Sequence, residues 1–384
     1  MNKQTMFSLY VGAAMGVTFL NLPPVLQNMM GLYGISYGGV SFLLSALLWS
    51  HAAIQAPGGM VVDRLSPRAG ILLCVGLMAI GNLLPSLALN LSLAMTGRVV
   101  TGFGTGLAFV IILKLLATHS PPHLVGTHQG FFGGAFSLGS IAAYVYIPDL
   151  FALDWRWPFW SAGLLSAVAV AWALLLPLKP VESGKLKPLP MRRLMALKIG
   201  WIIGLYHAIS YGSMINLGNW IPSVLAEASG TPVSQLAWGG SLILLVSGLG
   251  RIGGGAILAR VRASTLANGS IALLAVLYFS LFLASPAWLV LTLALTASWF
   301  ASITFGAFFQ IAGKGVEARS LGSLFGFVNL VANLGAILFT LAFGLFKDHA
   351  GSFAWGFALM SAMAALALAL GHRTVLEMTR EEII

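Results

Sequence analysis

Long apolar runs, interrupted by short clusters of proline, glycine and charge, repeat along the whole 384-residue chain. A soluble helix shows one apolar stripe and a half-buried strand alternates its faces, so neither pattern produces runs of this length. A helix that crosses the hydrocarbon of a bilayer needs about 20 such residues. Measured that way, the sequence predicts twelve spans, near 6–26, 38–62, 69–89, 92–118, 124–147, 157–178, 197–225, 236–258, 264–285, 288–312, 321–346 and 353–371. The expected fold class is an all-α polytopic membrane protein with twelve transmembrane helices joined by short connections.

Composition then removes alternatives. The chain is 58% hydrophobic and 8% charged, against about 25% charged residues in an ordinary soluble domain. A water-soluble globule and a disordered chain are both excluded. The single cysteine, Cys74, leaves no disulfide framework and no cysteine metal cluster. His119 and His123 have no metal-ligand company, and no nucleophile–base constellation stands out. The glycine-rich runs follow no strand and contain no Gly-Lys-Ser/Thr, so the phosphate loop of an ATP-driven pump is missing. The expectation is a non-enzyme without metal or cofactor.

A net charge of +10 suggests nucleic acid until its placement is read. Fifteen of the 20 basic residues, from Lys3 through Arg64, Arg68 and the Lys179–Lys198 stretch to Arg373 and Arg380, fall on one side of the predicted spans. Arg156 and Lys347 fall on the other. This is the positive-inside pattern, and it predicts a multi-pass protein of the cell (inner) membrane with both termini cytoplasmic. The basic balance is topology and attraction to anionic lipid, with no nucleic-acid partner. The first apolar run lacks a small-residue cleavage site and is expected to be retained as a helix.

The chain also repeats itself. In a register of 196 residues, Gly58, Gly59 and Arg64 fall on Gly254, Gly255 and Arg260, and Gly126, Gly130, Phe131, Leu138 and Gly139 fall on Gly322, Gly326, Phe327, Leu334 and Gly335. Leu9-Tyr10 falls on Leu205-Tyr206, and Pro24 meets Pro222 after a two-residue slip. The expected organisation is a six-helix half over 1–178, a basic cytoplasmic linker over 179–196, and a second six-helix half with a short tail over 197–384. Internal repeats characterise secondary transporters, whose substrate site lies near the bilayer midplane where the repeats meet.

Three motifs point to a family. The end of span 2 reads Gly58-Gly59-Met60-Val61-Val62-Asp63-Arg64-Leu65-Ser66-Pro67-Arg68 and resembles the loop 2–3 signature of the major facilitator superfamily. Gly59, Asp63, Arg64 and Arg68 match it, with Ser66-Pro67 in place of the usual Gly-Arg. Span 4 carries Arg98 followed by Gly102, Gly104 and Gly106, which looks like the superfamily's span 4 motif. Asp154-Trp155-Arg156-Trp157-Pro158-Phe159-Trp160 is similar to the entry of span 6 in many members. The resemblance implies a gating role for the loop motif, with Asp63 latching onto the start of span 11 near Ser320 when the inside is closed; a carboxylate there meets the N–H groups of a helix start. A plain Asp63–Arg64 surface turn is the other reading. Glycines four apart in Gly102–Gly106 and Gly130–Gly134 predict close helix approach.

Arg98, Lys114 and Arg251 fall inside spans, and no Asp or Glu does. A buried ionisable group normally faces a cavity or a partner, and the missing partner of these cations points to an anionic substrate. Lys114 lies near a span end and is able to snorkel. Arg98 belongs to a widespread motif, so structural or coupling roles stand beside ligand contact. Arg251 lies nine residues before Arg260, roughly 13 Å along the helix, and its repeat mate is Gln55. An Arg at this level of span 8 resembles the anion-binding arginine of nitrate/nitrite porters and of monocarboxylate and oxalate carriers, and its planar fork suits a carboxylate. The span 2 arginine of nitrate/nitrite porters is replaced here by Gln55, and the Gly-Pro pair of drug/proton antiporters by Gly133-Gly134.

Polar pairs one turn apart add to the picture: His51 with Gln55, His207 with Tyr211, Ser247 with Arg251. The sequence thus predicts a transporter of a small organic or inorganic anion, working by alternating access as a monomer. Arg251 is the expected principal charge partner, with Arg98 secondary. Tyr211, Asn329 and Asn333 are the expected polar orienters, with Trp49 and Trp299 as walls. Proton coupling would pass through His51 or His207, whose ordinary pKa lies near 6.5, or with the anion itself; exchange for a counter-transported anion needs no titrating group. Transport of neutral or cationic compounds, or a non-transporting assembly protein on the same scaffold, are the alternatives.

Overall fold

Each predicted span is a helix in the structure, a computed structural model that describes residues 2–87, 89–120, 125–177, 191–258, 260–314 and 321–378. Span 1 is α1 (Lys3–Leu20) and α2 (Leu26–Tyr33), separated by a 3-10 turn at Pro23–Val25. Spans 2 to 6 are α3 (Tyr37–Arg64), α4 (Pro67–Leu83), α5 (Leu91–His119), α6 (Val125–Leu153) and α7 (Trp157–Leu175). A short helix, α8 (Met191–Met195), lies in the stretch expected to be a linker, of which 179–190 lie outside the described residues. Spans 7 to 9 are α9 (Lys198–Ser229), α10 (Ala237–Leu258) and α11 (Ala263–Leu283). Span 10 is divided into α12 (Ala287–Ile303) and α13 (Phe305–Gly313), and spans 11 and 12 are α14 (Leu321–Ala350) and α15 (Ala354–Glu377). There is no strand among the described residues.

The chain forms two compact units, Met1–Gly184 and Lys185–Ile384. In the first, α1 packs on α6, α3 on α5, and α4 on both α5 and α7. In the second, α9 packs on α14, α10 on α12, and α11 on both α12 and α15. Counted by span, pairings 1–5, 2–4, 3–4 and 3–6 recur as 7–11, 8–10, 9–10 and 9–12, so the repeat read in the sequence extends to the choice of neighbours.

Small residues set these contacts, as expected where lipid provides no hydrophobic drive between helices. A Cβ on Gly16 would stand 2.0 Å from the Phe136 carbonyl oxygen, and one on Gly139 2.0 Å from that of Ala13. Their mates 196 residues on, Gly212 and Gly335, meet Phe339 and Ala208 in the same way, at 2.7 and 2.5 Å. Gly102 and Gly106 bring α5 against the backbone of α3 at Leu47 and His51. Gly130 and Gly134 do not behave as expected: a Cβ on either would meet nothing within 4 Å outside its own helix among the described residues, so their spacing marks no close helix contact there.

By length and composition, eleven of the twelve spans are apolar enough to cross a membrane among the described residues. The exception is α9, which carries His207, Ser210, Ser213, Asn216, Asn219 and Ser223. Its neighbours α10, α12, α13, α14 and α15 surround it, and every residue from Gly212 to Leu225 is buried. Three of them bond inside the unit instead of meeting lipid: Ser210 Oγ donates to the Ala301 carbonyl, Ser213 pairs with Tyr278, and Asn216 Nδ2 donates to Ala336 O at 3.2 Å. Asn219 Oδ1 and Ser223 Oγ are buried without a hydrogen-bond partner among the described residues.

Candidate functional site

The second unit gathers three of the predicted residues, His207, Tyr211 and Asn329, around Arg251. Gly250 and Gly254 seat α10 against Ser302 and Ile303 of the facing helix, and Arg251 projects from the adjoining face. Its Nη2 donates to Met214 Sδ at 3.2 Å, and its Cζ lies 5.0 Å from the centre of the Phe305 ring. A thioether is a weak acceptor. No carboxylate bonds Arg251 among the described residues, and two helix-end ion pairs, Arg156–Asp154 and Lys347–Glu227, involve other residues. His207 and Tyr211 of α9 both lie within electrostatic range of the guanidinium. The His207 ring is 1% exposed, hydrogen-bonds the Asn329 side chain of α14, and leaves Nδ1 without a partner.

Aromatic rings close this cluster. Phe305, Phe308 and Phe309 of α13 stand 5.7, 6.0 and 5.6 Å from His207, and Tyr211 stands 5.8 Å away. The break at Thr304 lets α13 present them. Where a continuous helix would use the Phe305 N–H, the Ala301 carbonyl accepts the hydroxyls of Ser210 and Thr304, at 2.5 and 2.7 Å. Gly306, two residues past Thr304, is the local cue to this break, but glycine recurs throughout the spans, so the three phenylalanines escaped the sequence reading; their spacing along one face was the other available signal. Met214 gave no signal at all.

Asn333 faces its own helix, with Nδ2 donating to Asn329 O at 2.8 Å. Trp299 packs its ring edge against Gly253 of α10. In the first unit, Trp49 is 49% exposed.

The polar residues of the first unit form a separate arrangement. Thr105 Oγ1 donates to Gly102 O at 3.1 Å, so it accepts from His51 Nδ1 at 3.0 Å; His51 Nε2 then accepts from Gln55 Nε2 at 2.9 Å. This chain is complete for a neutral imidazole. Arg98, 3% exposed, donates from Nη1 to Thr18 O at 3.0 Å and Asn21 Oδ1 at 3.1 Å. These groups lie at the end of α1: its last residue is Leu20, Pro23 and Pro24 lack the N–H groups to carry the helix on, and the carbonyls of the last turn, Thr18 among them, need donors from elsewhere. Pro222, which meets Pro24 in the repeat, sits inside a continuous α9, and the residue matching Arg98 there is Ala294. Arg98 thus occurs in the repeat that is broken and satisfies the break. Arg98→Ala is expected to lower the unfolding free energy by about 2–4 kcal/mol, because it leaves buried acceptors unpaired; heat unfolding of the detergent-purified variant checks this.

The loop motif is partly visible. Arg68 Nη2 donates to the Leu176 carbonyl at 3.0 Å, tying α4 to the end of α7. Ser66 accepts from Ala69 N at 3.3 Å as the N-cap of α4, with Pro67 in the first turn; this pair is a favoured helix start and accounts for the departure from Gly-Arg. The side chains of Gly59, Asp63 and Arg64 lie outside the described residues, as does Ser320, so the expected latch does too.

A duplicated six-helix unit, spans enough for a polytopic protein, and polar groups collected inside the bundle define a membrane transporter. The chain belongs to the Major Facilitator Superfamily, whose profile matches residues 6–339. It is 22% identical over 373 residues to a probable sulfoacetate transporter of Cupriavidus necator, covering 88% of this chain and 85% of that one. It is likewise 22% identical over 374 residues to the hexuronate transporter of Bacillus subtilis, with 90% and 86% covered. Among solved structures it matches a bacterial homologue of the human lysosomal transporter Spinster, in an inward-facing and occupied conformation. The TM-score is 0.79 at 15% identity, over 97% of this chain and 96% of that one. At that identity the likeness is one of fold.

Proposed function

We propose that the protein carries a small organic anion, bearing a carboxylate or sulfonate, across the cell (inner) membrane by alternating access as a monomer with cytoplasmic termini. The observation that carries this reading is Arg251: an intramembrane guanidinium whose bonds among the described residues are one thioether and one ring face. A charge at depth is retained where it meets a partner in function, and a guanidinium fork fits a carboxylate with two parallel bonds. Tyr211 and Asn329 stand beside it as polar orienters, and the phenylalanines of α13 keep water from the pair, which strengthens it. The relatives named for sulfoacetate and hexuronate are in keeping with such a substrate, since both compounds are anions at neutral pH.

The test is uptake by the purified protein in proteoliposomes, with labelled sulfoacetate, galacturonate and glucuronate set against galactose and a lipophilic cation. Saturable uptake of at least one anion, without uptake of galactose, is expected. Galactose has the galacturonate ring without the carboxylate, so its transport at a similar rate would end the anion reading. Uptake of the cation alone would favour an exporter of cationic compounds. Silence across the panel would favour the non-transporting scaffold.

A further inference from the structure

We propose that His207 carries a proton with the anion, so that each substrate bound at Arg251 brings one proton onto the neighbouring imidazole. The proposal rests on the reading of Arg251 as the anion's partner. The two candidate histidines differ in what surrounds them. His51 has both ring nitrogens engaged, to Thr105 at 3.0 Å and Gln55 at 2.9 Å, in a chain that satisfies the neutral ring. His207 has one unpartnered nitrogen, Nδ1, buried in the Arg251 cluster.

Charge decides how that nitrogen is used. The groups facing His207 are Arg251 of α10, Tyr211 of its own helix, Asn329 of α14, and Phe305, Phe308 and Phe309 of α13. The helices α11 and α15 present Tyr278, paired with Ser213, and the His372 carbonyl, bonded to Asn268, which in turn accepts from Tyr206. No carboxylate bonds His207 among the described residues. With the site empty, a proton on His207 would place a second positive charge beside Arg251 in a medium of low dielectric. An anion on Arg251 cancels that repulsion and supplies an acceptor for the imidazolium. The empty site then carries one positive charge on Arg251. The loaded site carries Arg251, the monoanion and the protonated His207, which again sum to one. Binding of anion and proton are therefore linked, and linkage is reciprocal: each raises the affinity for the other.

The experiment records uptake of labelled galacturonate, a monoanion, and internal pH together, in proteoliposomes with a pH-sensitive dye trapped inside. Wild type is expected to acidify the lumen by one proton per galacturonate and to take the anion up at least about tenfold faster under an inward proton gradient. In His207→Gln and His207→Asn, the proton-to-anion ratio is expected to fall to zero and the gradient to lose its effect, whatever the remaining rate. His51→Gln is expected to keep the ratio at one. Elution of each variant as a monodisperse peak, together with anion counterflow that needs no net proton movement, shows that the variants are folded. Wild-type uptake without protons would overturn the proton's role and leave the anion reading standing. A ratio of one that persists in both His207 variants would place the proton on the anion itself and overturn the proposal. No uptake of any anion by wild type would end the underlying reading as well.

Discussion

Replacing Arg251 by Gln is expected to lower the specificity constant for the transported anion by at least about 30-fold while leaving the protein folded. Truncating one member of a desolvated charge pair costs about 2–5 kcal/mol, and each 1.4 kcal/mol is tenfold. Stability is expected to change little or to rise. The guanidinium has no carboxylate to strand among the described residues, and the groups it touches, Met214 and Phe305, tolerate an amide of similar reach. This combination separates a ligand-binding arginine from one that holds helices together, for which Arg98 with its two backbone and side-chain acceptors is the internal contrast. Arg251→Lys keeps the charge and loses the fork, and is expected to retain uptake at roughly a tenth of the wild-type rate. Initial rates in proteoliposomes, beside heat unfolding of the same preparations, give both readouts.

A single methyl group at Gly139 is expected, with the same change at Gly16, to be among the most damaging small changes in the first unit. The Cβ would fall 2.0 Å from the Ala13 carbonyl oxygen, with the rest of the Ala13 backbone at 2.7 and 2.9 Å. No side chain is in the way to move aside, so α1 and α6 must separate. Overpacking of a tight core costs about 1–3 kcal/mol, and Gly139→Ala is expected to reach or exceed the upper end. Gly335→Ala, at the matching position of the second repeat, meets the Ala208 side chain at 2.5 Å and is expected to cost somewhat less. Gly133→Ala and Gly134→Ala, with nothing within 4 Å, are expected to be neutral or to stabilise by up to about 1 kcal/mol, as alanine does within a helix. Melting temperatures of the four variants rank them.

The fold was legible because a bilayer imposes one length on every helix, and Gly139 and Gly335 showed the duplication in their register. What the runs did not show was where a span stops being straight. Pro23-Pro24 announces its own break, whereas the break at Thr304 depends on a hydroxyl of another helix, Ser210, reaching the Ala301 carbonyl. Such an interaction between distant residues leaves no local trace. Span 7 was found by hydropathy although its polar residues make it the least lipid-like, since enclosure by its own unit replaces the apolarity that lipid demands. At the site, the pairs one turn apart identified His207 with Tyr211, and the unmatched Arg251 stood out against Gln55. The aromatic floor of α13 was missed because aromatic residues recur in most of the spans, so Phe305, Phe308 and Phe309 did not stand out. Gly130 and Gly134 show the opposite error, since spacing alone does not say what stands opposite.

The most direct test of the anion site is equilibrium competition on the purified wild-type protein in detergent. Labelled galacturonate, or whichever anion of the panel is transported, is displaced by unlabelled anion and by its uncharged counterparts, the amide and the parent sugar. Displacement by the anions, with amide and sugar at least about 100-fold weaker and the Arg251→Gln protein failing to discriminate, is the predicted result. Equal displacement by the uncharged compounds, or undiminished discrimination in Arg251→Gln, would contradict it.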